Sequence, residues 1–149
     1  MISVCIPVYN IDVRPLITAL EKQMLKFQFG AELVIIDDAS DERFRAINRD
    51  VCGRHRYVEL SENIGRAGIR NMFVRYTRFE YLVFLDCDSL ILSNDFLSRY
   101  SKEIQKEAIP DVIVGGRVYS TQKPSPAYRL RWKYGLKREK KTAGIRNEV

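Results

Sequence analysis

Two aspartates follow a short apolar run near the middle of the chain, in the stretch YLVFLDCDSLI that begins at Tyr81. Residues i and i+2 of an extended segment point to the same side, so Asp86 and Asp88 can face one ligand while Cys87 points into the protein. A hard divalent cation suits such a pair, because Mg²⁺ or Mn²⁺ is usually held by one or two carboxylates, water and substrate phosphates. The plainer interpretation is that the aspartates end a strand and begin a turn.

A second apolar run, VIIDDAS, ends in Asp37 and Asp38. One of these carboxylates could accept a hydrogen bond from a ring N–H of a nucleobase. The alternative is an N-cap for the helix that follows, although Ser40 or Asp41 is better placed for that role. The two interpretations are compatible.

Short β-branched runs alternate with helical periodicities along most of the chain. In the first helix, Val13, Leu16, Leu20, Met24 and Phe27 form one apolar stripe. Four predicted helices separate five predicted strands, which lie at residues 2–8, 32–37, 56–60, 81–86 and 111–119. The fourth helix is expected to begin at an N-cap, Ser93, with an inner face of Phe96, Leu97, Tyr100 and Ile104.

Strands joined through helices indicate right-handed parallel crossovers, and the apolar strands fit a sheet that is covered on both faces. We therefore predict an open α/β sandwich. Ligands of such sheets bind beyond the carboxyl ends of the strands. The polar residues of this sequence fall at those ends: Tyr9 and Asn10, Asp37 and Asp38, Ser61 to Asn63, and Asp86 and Asp88.

Composition narrows the class of protein further. The 149 residues suffice for one globular domain, and the net charge of +6 favours an anionic partner such as a nucleotide, a phospholipid surface or a nucleic acid. The N-terminus enters an apolar run without the basic region of a secretory signal, so we expect a cytoplasmic protein. Three cysteines without paired spacing indicate reduced thiols rather than disulfides or a zinc site.

Four motifs appear in a recognisable order: ISVCIPVYN, ELVIIDDASD, ELSENIGRAGIRN and YLVFLDCDSLILSNDFL. Over residues 2 to about 119 they resemble the nucleotide-sugar-binding half of the large inverting family-2 glycosyltransferases. The resemblance implies a GT-A fold, which is a Rossmann-like α/β/α sandwich with a mostly parallel sheet. It also implies a transferase that takes a sugar from a nucleoside diphosphate, commonly a UDP-sugar, with Mn²⁺ or Mg²⁺ bridging the diphosphate.

The resemblance also implies roles for particular residues. Pro7 and Tyr9 would line the nucleoside pocket, and Asp38 would accept a hydrogen bond from the base. Asp86 would lie near the ribose, and Asp88 would hold the metal ion. Arg70 and Asn71 lie where similar proteins approach the donor. The plainer interpretations are a core aromatic for Tyr9, a turn for the N-x-G motif, and a solvated helix face for the arginines, above all for Arg66.

Inversion of the sugar requires a base that deprotonates the acceptor hydroxyl. Similar enzymes supply it as an aspartate of a C-terminal half, which has an acidic motif and a later Q-x-x-R-W. Here YRLRW at 128–132 lacks the glutamine and has no acidic pair before it. Glu139 and Glu148 lie among basic residues and are expected to be surface charge. We therefore expect a donor-binding domain at residues 1–120, the start of a truncated acceptor-binding part at 121–149, and a base beyond residue 149.

Seven basic residues crowd the C-terminal segment, with aromatic residues between them: Arg129, Arg131, Lys133, Lys137, Arg138, Lys140 and Lys141. We expect a solvated helix there, and a contact with the inner face of a membrane is the second interpretation. Nucleic acid is not expected, since no recognition motif accompanies the charge. The family resemblance implies a nucleoside-diphosphate sugar and a glycan or lipid-linked acceptor as partners. The alternative function is a non-catalytic GT-A-like nucleotide-binding module.

Overall fold

The structure is a computed structural model that describes residues 1–108, 111–116 and 118–141. It forms two compact units, Met1–Ile109 and Pro110–Val149. The boundary that we expect near residue 120 concerns function and stays a prediction. No helix in the described ranges is both long and apolar enough to cross a membrane.

A parallel four-stranded sheet in the order β3-β2-β1-β4 forms the centre of the first unit. The predicted alternation of strands and helices is confirmed up to the fourth helix. The strands are β1 (Ile2–Val8), β2 (Ala31–Asp37), β3 (Arg56–Glu59) and β4 (Tyr81–Phe84). The helices are α1 (Arg14–Met24), α2 (Glu42–Cys52), α3 (Gly65–Tyr76) and α4 (Phe96–Ile104).

Alternate side chains of the two central strands enter two apolar clusters, as a pleated strand requires. Ile2, Val4 and Ile6 of β1 pack with Leu16, Ile17 and Leu20 of α1 and with Leu97 of α4. Cys5 of β1 packs on the opposite face with Ile69 and Phe73 of α3. The sheet is therefore covered on both sides, which confirms the predicted three-layer sandwich.

Pro7 explains where β4 leaves the sheet. β4 pairs with β1 as far as Phe84, and the Leu85 N–H donates to the Cys5 carbonyl at 3.0 Å. The next bond of a parallel ladder would need an N–H from residue 7, which proline lacks. β4 therefore ends two residues before the predicted position, and residues 85–88 are free to form a turn beside β1.

Two predictions about these elements are wrong. The fourth helix has Asp95 rather than Ser93 as its N-cap residue, because Ser93 lies in the preceding loop, where its carbonyl accepts the Gln23 amide at 2.9 Å. The predicted strand at 111–119 is absent from the described residues 111–116 and 118–119. Its apolar side chains are exposed there, including Val112, Val114 and Val118, and a strand without a pairing partner or an apolar contact is unstable.

The second unit contains Glu139, a carboxylate that we expected to be surface charge. Pro126–Tyr128 form a 3₁₀ helix, which continues into α5 (Arg129–Tyr134) and a π-helix (Gly135–Glu139). Glu139 accepts hydrogen bonds from the Tyr119 hydroxyl and, at 2.7 Å, from the Arg131 guanidinium. The expectation of a surface charge is therefore wrong for Glu139, while Glu148 lies outside the described residues.

A buried carboxylate joins three elements at the amino end of the sheet. Glu32 in β2 accepts hydrogen bonds from the Ser3 hydroxyl at 2.6 Å and from the backbone N–H and guanidinium of Arg78 at 2.6 and 2.8 Å. Burial alone would raise the pKa of Glu32, but these hydrogen bonds outweigh it and hold the pKa below its usual range.

Replacing Glu32 with glutamine should lower the free energy of unfolding at pH 7 by about 2–3 kcal/mol, because a charged acceptor of three bonds is lost. A pKa that is lower in the folded state stabilises the fold above the unfolded-state pKa, and this contribution disappears as the pH falls through the folded-state value. Urea denaturation between pH 3 and pH 7 should therefore show the difference from wild type shrinking with acid. Glu107→Gln, at an exposed position, is the control; an equal effect of both substitutions would contradict this account.

Candidate functional site

One cleft lies at the carboxyl ends of the strands, with a volume of about 520 Å³, and we call it the strand-end cleft. Three loops and the first turns of α3 form its walls. Its polar lining residues are Tyr9, Asp38, Asn63, Arg66, Arg70, Asp86 and Asp88, and Pro7, Val8, Ile11, Gly65, Ile69 and Cys87 complete it. Polar groups that are distant in sequence therefore meet at one edge of the sheet, as parallel strands require.

Asp38 holds the start of α3 against the end of β2. Its carboxylate accepts the backbone N–H groups of Ile64 at 2.8 Å and of Gly65 at 3.0 Å. The first N–H groups of a helix lack partners within the helix, and a negative charge there is favoured by the helix dipole. Asn63 strengthens this junction, since its side-chain amide donates to the Asp38 carbonyl at 3.1 Å. Each carboxylate oxygen keeps a further lone pair for a ligand in the cleft.

Asp37, the other aspartate of the DD pair, is buried and holds the neighbouring loop through hydrogen bonds. Its side chain is buried, accepts the Ser40 backbone N–H at 2.7 Å and accepts the Tyr57 hydroxyl at 3.2 Å. The Ser40 hydroxyl in turn accepts the Asn10 backbone N–H at 2.8 Å. Asp37 thus fixes the loop before α2, whose N-cap residue is Asp41 as the sequence suggested.

Two arginines of α3 contact the carboxylate of Asp86. The Arg70 guanidinium donates to Asp86 Oδ1 at 2.6 Å, and the Arg66 guanidinium lies 3.5 Å from Oδ2. These arginines are four residues apart, so they share one face of the helix. Arg66 is the cleft residue that sequence reasoning assigned to solvent, and its spacing from Arg70 is the signal that could have found it.

Asp88 differs from the other acidic residues of the strand-end cleft. Its side chain is exposed, and within the described part of the chain it makes no hydrogen bond or ion pair. An exposed carboxylate without a protein partner is a suitable oxygen ligand for Mg²⁺ or Mn²⁺. No group of three or more His, Cys, Asp or Glu side chains among the described residues could hold a metal ion. The donor set therefore fits a cation that takes most of its other ligands from substrate and water.

Both interpretations of the D-x-D segment hold in part. The Asp86 carbonyl accepts the Ser89 N–H at 3.0 Å, which forms a turn, and both aspartates nevertheless line the cleft. Cys87 lines the cleft as well, and it also packs against the apolar core, as expected for a side chain that points into the protein. Burial raises the pKa of the Cys87 thiol, against a hydrogen bond from the Tyr9 backbone that lowers it. The thiol is therefore neutral near pH 7, like the buried Cys5 and Cys52, whose pKa burial raises to about 12.

Six of the seven predicted binding residues lie in the strand-end cleft: Pro7, Tyr9, Asp38, Arg70, Asp86 and Asp88. The seventh, Asn71, is exposed on α3 and is not among the residues that line it. Its contact with a ligand stays a prediction, as do the individual roles of the other six.

A second cleft of about 590 Å³ lies beside α1, and we call it the α1 cleft. Asp12 and Arg14 at its edge pair with each other at 2.7 Å, and Gln23 donates to the Ser93 carbonyl and accepts the Leu97 N–H. Three polar side chains of the α1 cleft, Asp12, Arg14 and Gln23, are thus engaged with one another or with backbone. The strand-end cleft, with its free carboxylate, is the better candidate for binding a ligand.

Solved structures identify the class of protein. The first unit has the GT-A fold of glycosyltransferases. The chain is similar to the mannosyltransferase PcManGT from Pyrobaculum calidifontis in complex with GDP-Man and Mn²⁺, with a TM-score of 0.58 and 25% identity over 71% of this chain and 32% of that one. It is similar to Staphylococcus aureus TarS 1-349 in complex with UDP-GlcNAc, with a TM-score of 0.54 and 25% identity over 70% and 31% of the two chains.

The chain belongs to glycosyl transferase family 2, whose family model matches residues 3–148. It is 30% identical over 120 residues to the poly(ribitol-phosphate) beta-N-acetylglucosaminyltransferase TarP of Staphylococcus aureus (strain N315), which covers 76% of this chain and 36% of TarP. An uncharacterized glycosyltransferase of Rickettsia felis is 31% identical over 91 residues, or 60% of this chain and 15% of the relative. The chain therefore spans about a third of the length of TarP and less of the other relative.

Proposed function

We propose that this chain is the donor-binding part of a glycosyltransferase that transfers a sugar from a nucleoside diphosphate sugar with inversion. The observation that carries the proposal is the strand-end cleft, where the free carboxylate of Asp88 lies with Asp38, Asp86 and Arg70. UDP is the first candidate nucleotide, because TarS is similar to this chain and its structure contains UDP-GlcNAc. The GDP-Man complex of the mannosyltransferase makes GDP the second.

Each side chain of the cleft has a role that its position supports. Tyr9 is half exposed at the end of β1, where its ring can pack on a nucleobase. Asp38 would accept a hydrogen bond from the ring N–H of that base, using the lone pairs that the α3 amides leave free. Asp86 would accept the ribose hydroxyls, and Arg70 orients its carboxylate.

Asp88 would hold Mn²⁺ or Mg²⁺ together with the donor diphosphate. Such an ion supplies charge neutralisation for the diphosphate leaving group. The exposed position of Asp88 leaves room for the phosphates and water that complete the coordination of these cations.

The acceptor is proposed to be a glycan or a lipid-linked saccharide of a surface polysaccharide or glycolipid. Support comes from TarP, which is named as an enzyme that glycosylates poly(ribitol-phosphate).

Calorimetric titration of UDP and of GDP, each with and without Mn²⁺, tests the donor site. We expect one nucleotide to bind, and Mn²⁺ to strengthen its binding by at least tenfold, or about 1.4 kcal/mol. Failure of both nucleotides to bind with Mn²⁺ would contradict the proposal. Transfer of the sugar to an acceptor by the full-length gene product would separate the enzyme from a non-catalytic nucleotide-binding module.

We also propose that the second unit contacts the anionic inner face of the cytoplasmic membrane. All seven of its clustered basic side chains are exposed, and so are Tyr128, Leu130 and Tyr134. Basic residues with exposed aromatic and aliphatic side chains between them favour an anionic lipid interface. The chain should sediment with vesicles that contain phosphatidylglycerol and remain in solution with pure phosphatidylcholine vesicles. Equal sedimentation with both, or with neither, would contradict the contact.

A further inference from the structure

We infer that Arg66 is a mobile phosphate-binding residue of the strand-end cleft, which leaves Asp86 when a nucleoside diphosphate binds and then contacts the diphosphate. This inference rests on the proposed donor site and adds a residue to it. Arg66 lies outside the D-x-D and R-N motifs. The inference depends on how Arg66 and Arg70 share the carboxylate of Asp86.

The two arginines hold Asp86 unequally. Arg70 lies 2.6 Å from Oδ1 and is 31% exposed, whereas Arg66 lies 3.5 Å from Oδ2 and is 81% exposed. A distance of 3.5 Å is at the limit of a hydrogen bond, and an exposed ion pair contributes little free energy. Arg70 is therefore the fixed partner of Asp86. The contact between Arg66 and Asp86 is weak enough for a ligand to replace Arg66 at this carboxylate.

The proposed donor provides a reason for the exchange. If ribose hydroxyls bind Asp86, Oδ2 is the more accessible oxygen, because Arg66 lies 3.5 Å from it whereas Arg70 is held at 2.6 Å from Oδ1, and the hydroxyls would then compete with Arg66. A guanidinium that loses this contact stays in the same cleft as Asp88, whose carboxylate would hold the metal and the diphosphate. Phosphate oxygens suit the planar guanidinium better than a single distant carboxylate oxygen does, since two parallel hydrogen bonds can form.

The position of Arg66 supports the same contact. It is the second residue of α3, immediately after Gly65, whose N–H is bonded to Asp38. Asp38 thereby holds the first turn of the helix, and Arg66 with it, at the edge of the strand-end cleft. A flexible side chain on a fixed backbone can reach a bound anion without any movement of the helix.

The test compares Arg66→Gln with wild type in calorimetric titrations of uridine, UMP and UDP, or of the guanosine series if GDP proves to be the ligand. Arg66→Gln should weaken UDP binding about tenfold, the loss expected for one charge-assisted contact, and leave uridine binding unchanged. Arg66→Lys should retain part of the UDP affinity, because it keeps the charge and loses the planar fork. Arg75→Gln, at an exposed position farther along α3, is the matched control and should bind like wild type.

Three outcomes would overturn the inference while wild type still binds UDP. These are unchanged UDP affinity in Arg66→Gln, a tighter binding of UDP by it, or an equal loss for uridine and UDP. Failure of wild type to bind any nucleotide would instead contradict the proposed function itself. Thermal unfolding of the unliganded variants should match wild type, since an exposed arginine at 3.5 Å contributes little to stability.

Discussion

Asp88→Asn should abolish the effect of Mn²⁺ on nucleotide binding, so that the strengthening of at least about tenfold expected for wild type is lost. Changes to residues that merely support a metal ligand cost 10- to 100-fold, so the loss of the ligand itself should cost no less. Asparagine keeps the size of the side chain but removes the charge that attracts a divalent cation. Nucleotide affinity measured without metal should stay as in wild type.

The fold of the Asp88→Asn variant should be intact, because Asp88 is exposed and has no hydrogen bond or ion pair within the described part of the chain. Its free energy of unfolding should lie within about 0.5 kcal/mol of wild type. Asp50→Asn, at an exposed position on α2 outside the strand-end cleft, is the matched control and should retain the full response to Mn²⁺. If Mn²⁺ strengthens nucleotide binding in Asp88→Asn as much as in wild type, Asp88 is not a ligand of the metal ion.

Asp86→Asn should have the opposite pattern, with weaker nucleotide binding whether or not Mn²⁺ is present. Asparagine loses the charge that holds Arg70 at 2.6 Å and that would accept the ribose hydroxyls. Hydrogen bonds to a charged group contribute about 1.5–3 kcal/mol, so affinity for the nucleoside alone should fall at least tenfold. Calorimetry with the nucleoside isolates this effect, because no phosphate is present.

The surface pair of Asp95 and Arg99 provides a matched control for Asp86. These side chains, the N-cap residue of α4 and a residue of its first turn, lie 2.8 Å apart outside the strand-end cleft. Asp95→Asn removes the same type of ion pair and should leave nucleoside binding unchanged. Unchanged nucleoside binding by Asp86→Asn would contradict a contact between Asp86 and the ribose. A loss of affinity only in the presence of Mn²⁺ would also contradict it, and would assign Asp86 to the metal site with Asp88.

The sequence predicted the sheet well because its strands are short apolar runs separated by periodic helices. Parallel topology then placed the polar strand ends at one edge, so that Tyr9, Asp38, Asp86 and Asp88 could be expected together. The end of β4 was predicted two residues late, because it depends on a hydrogen bond that Pro7 cannot donate. That interaction joins residues far apart in sequence.

Other features could not be predicted from local patterns. Nothing in DDAS distinguishes Asp37, which is buried beneath Tyr57, from Asp38, which binds the start of α3. The apolar run at 111–119 has the composition of a strand, but pairing depends on a neighbour that the run itself does not specify. The Arg66 side chain is 81% exposed, as expected for a solvated helix face, but its contact with Asp86 joins α3 to the turn after β4 and is not visible in either local pattern.

The most direct test of the donor site is nuclear magnetic resonance of the 17.4 kDa chain with Mn²⁺ and the nucleotide that binds it. Mn²⁺ is paramagnetic and broadens the signals of nearby backbone amides. With nucleotide present, the amide signals of Tyr9, Gly65, Cys87 and Asp88 should broaden, while those of Thr18 and Lys22 in the α1 cleft should stay sharp. Broadening centred on the α1 cleft, or spread evenly over the surface, would contradict a nucleotide and metal site at the strand ends.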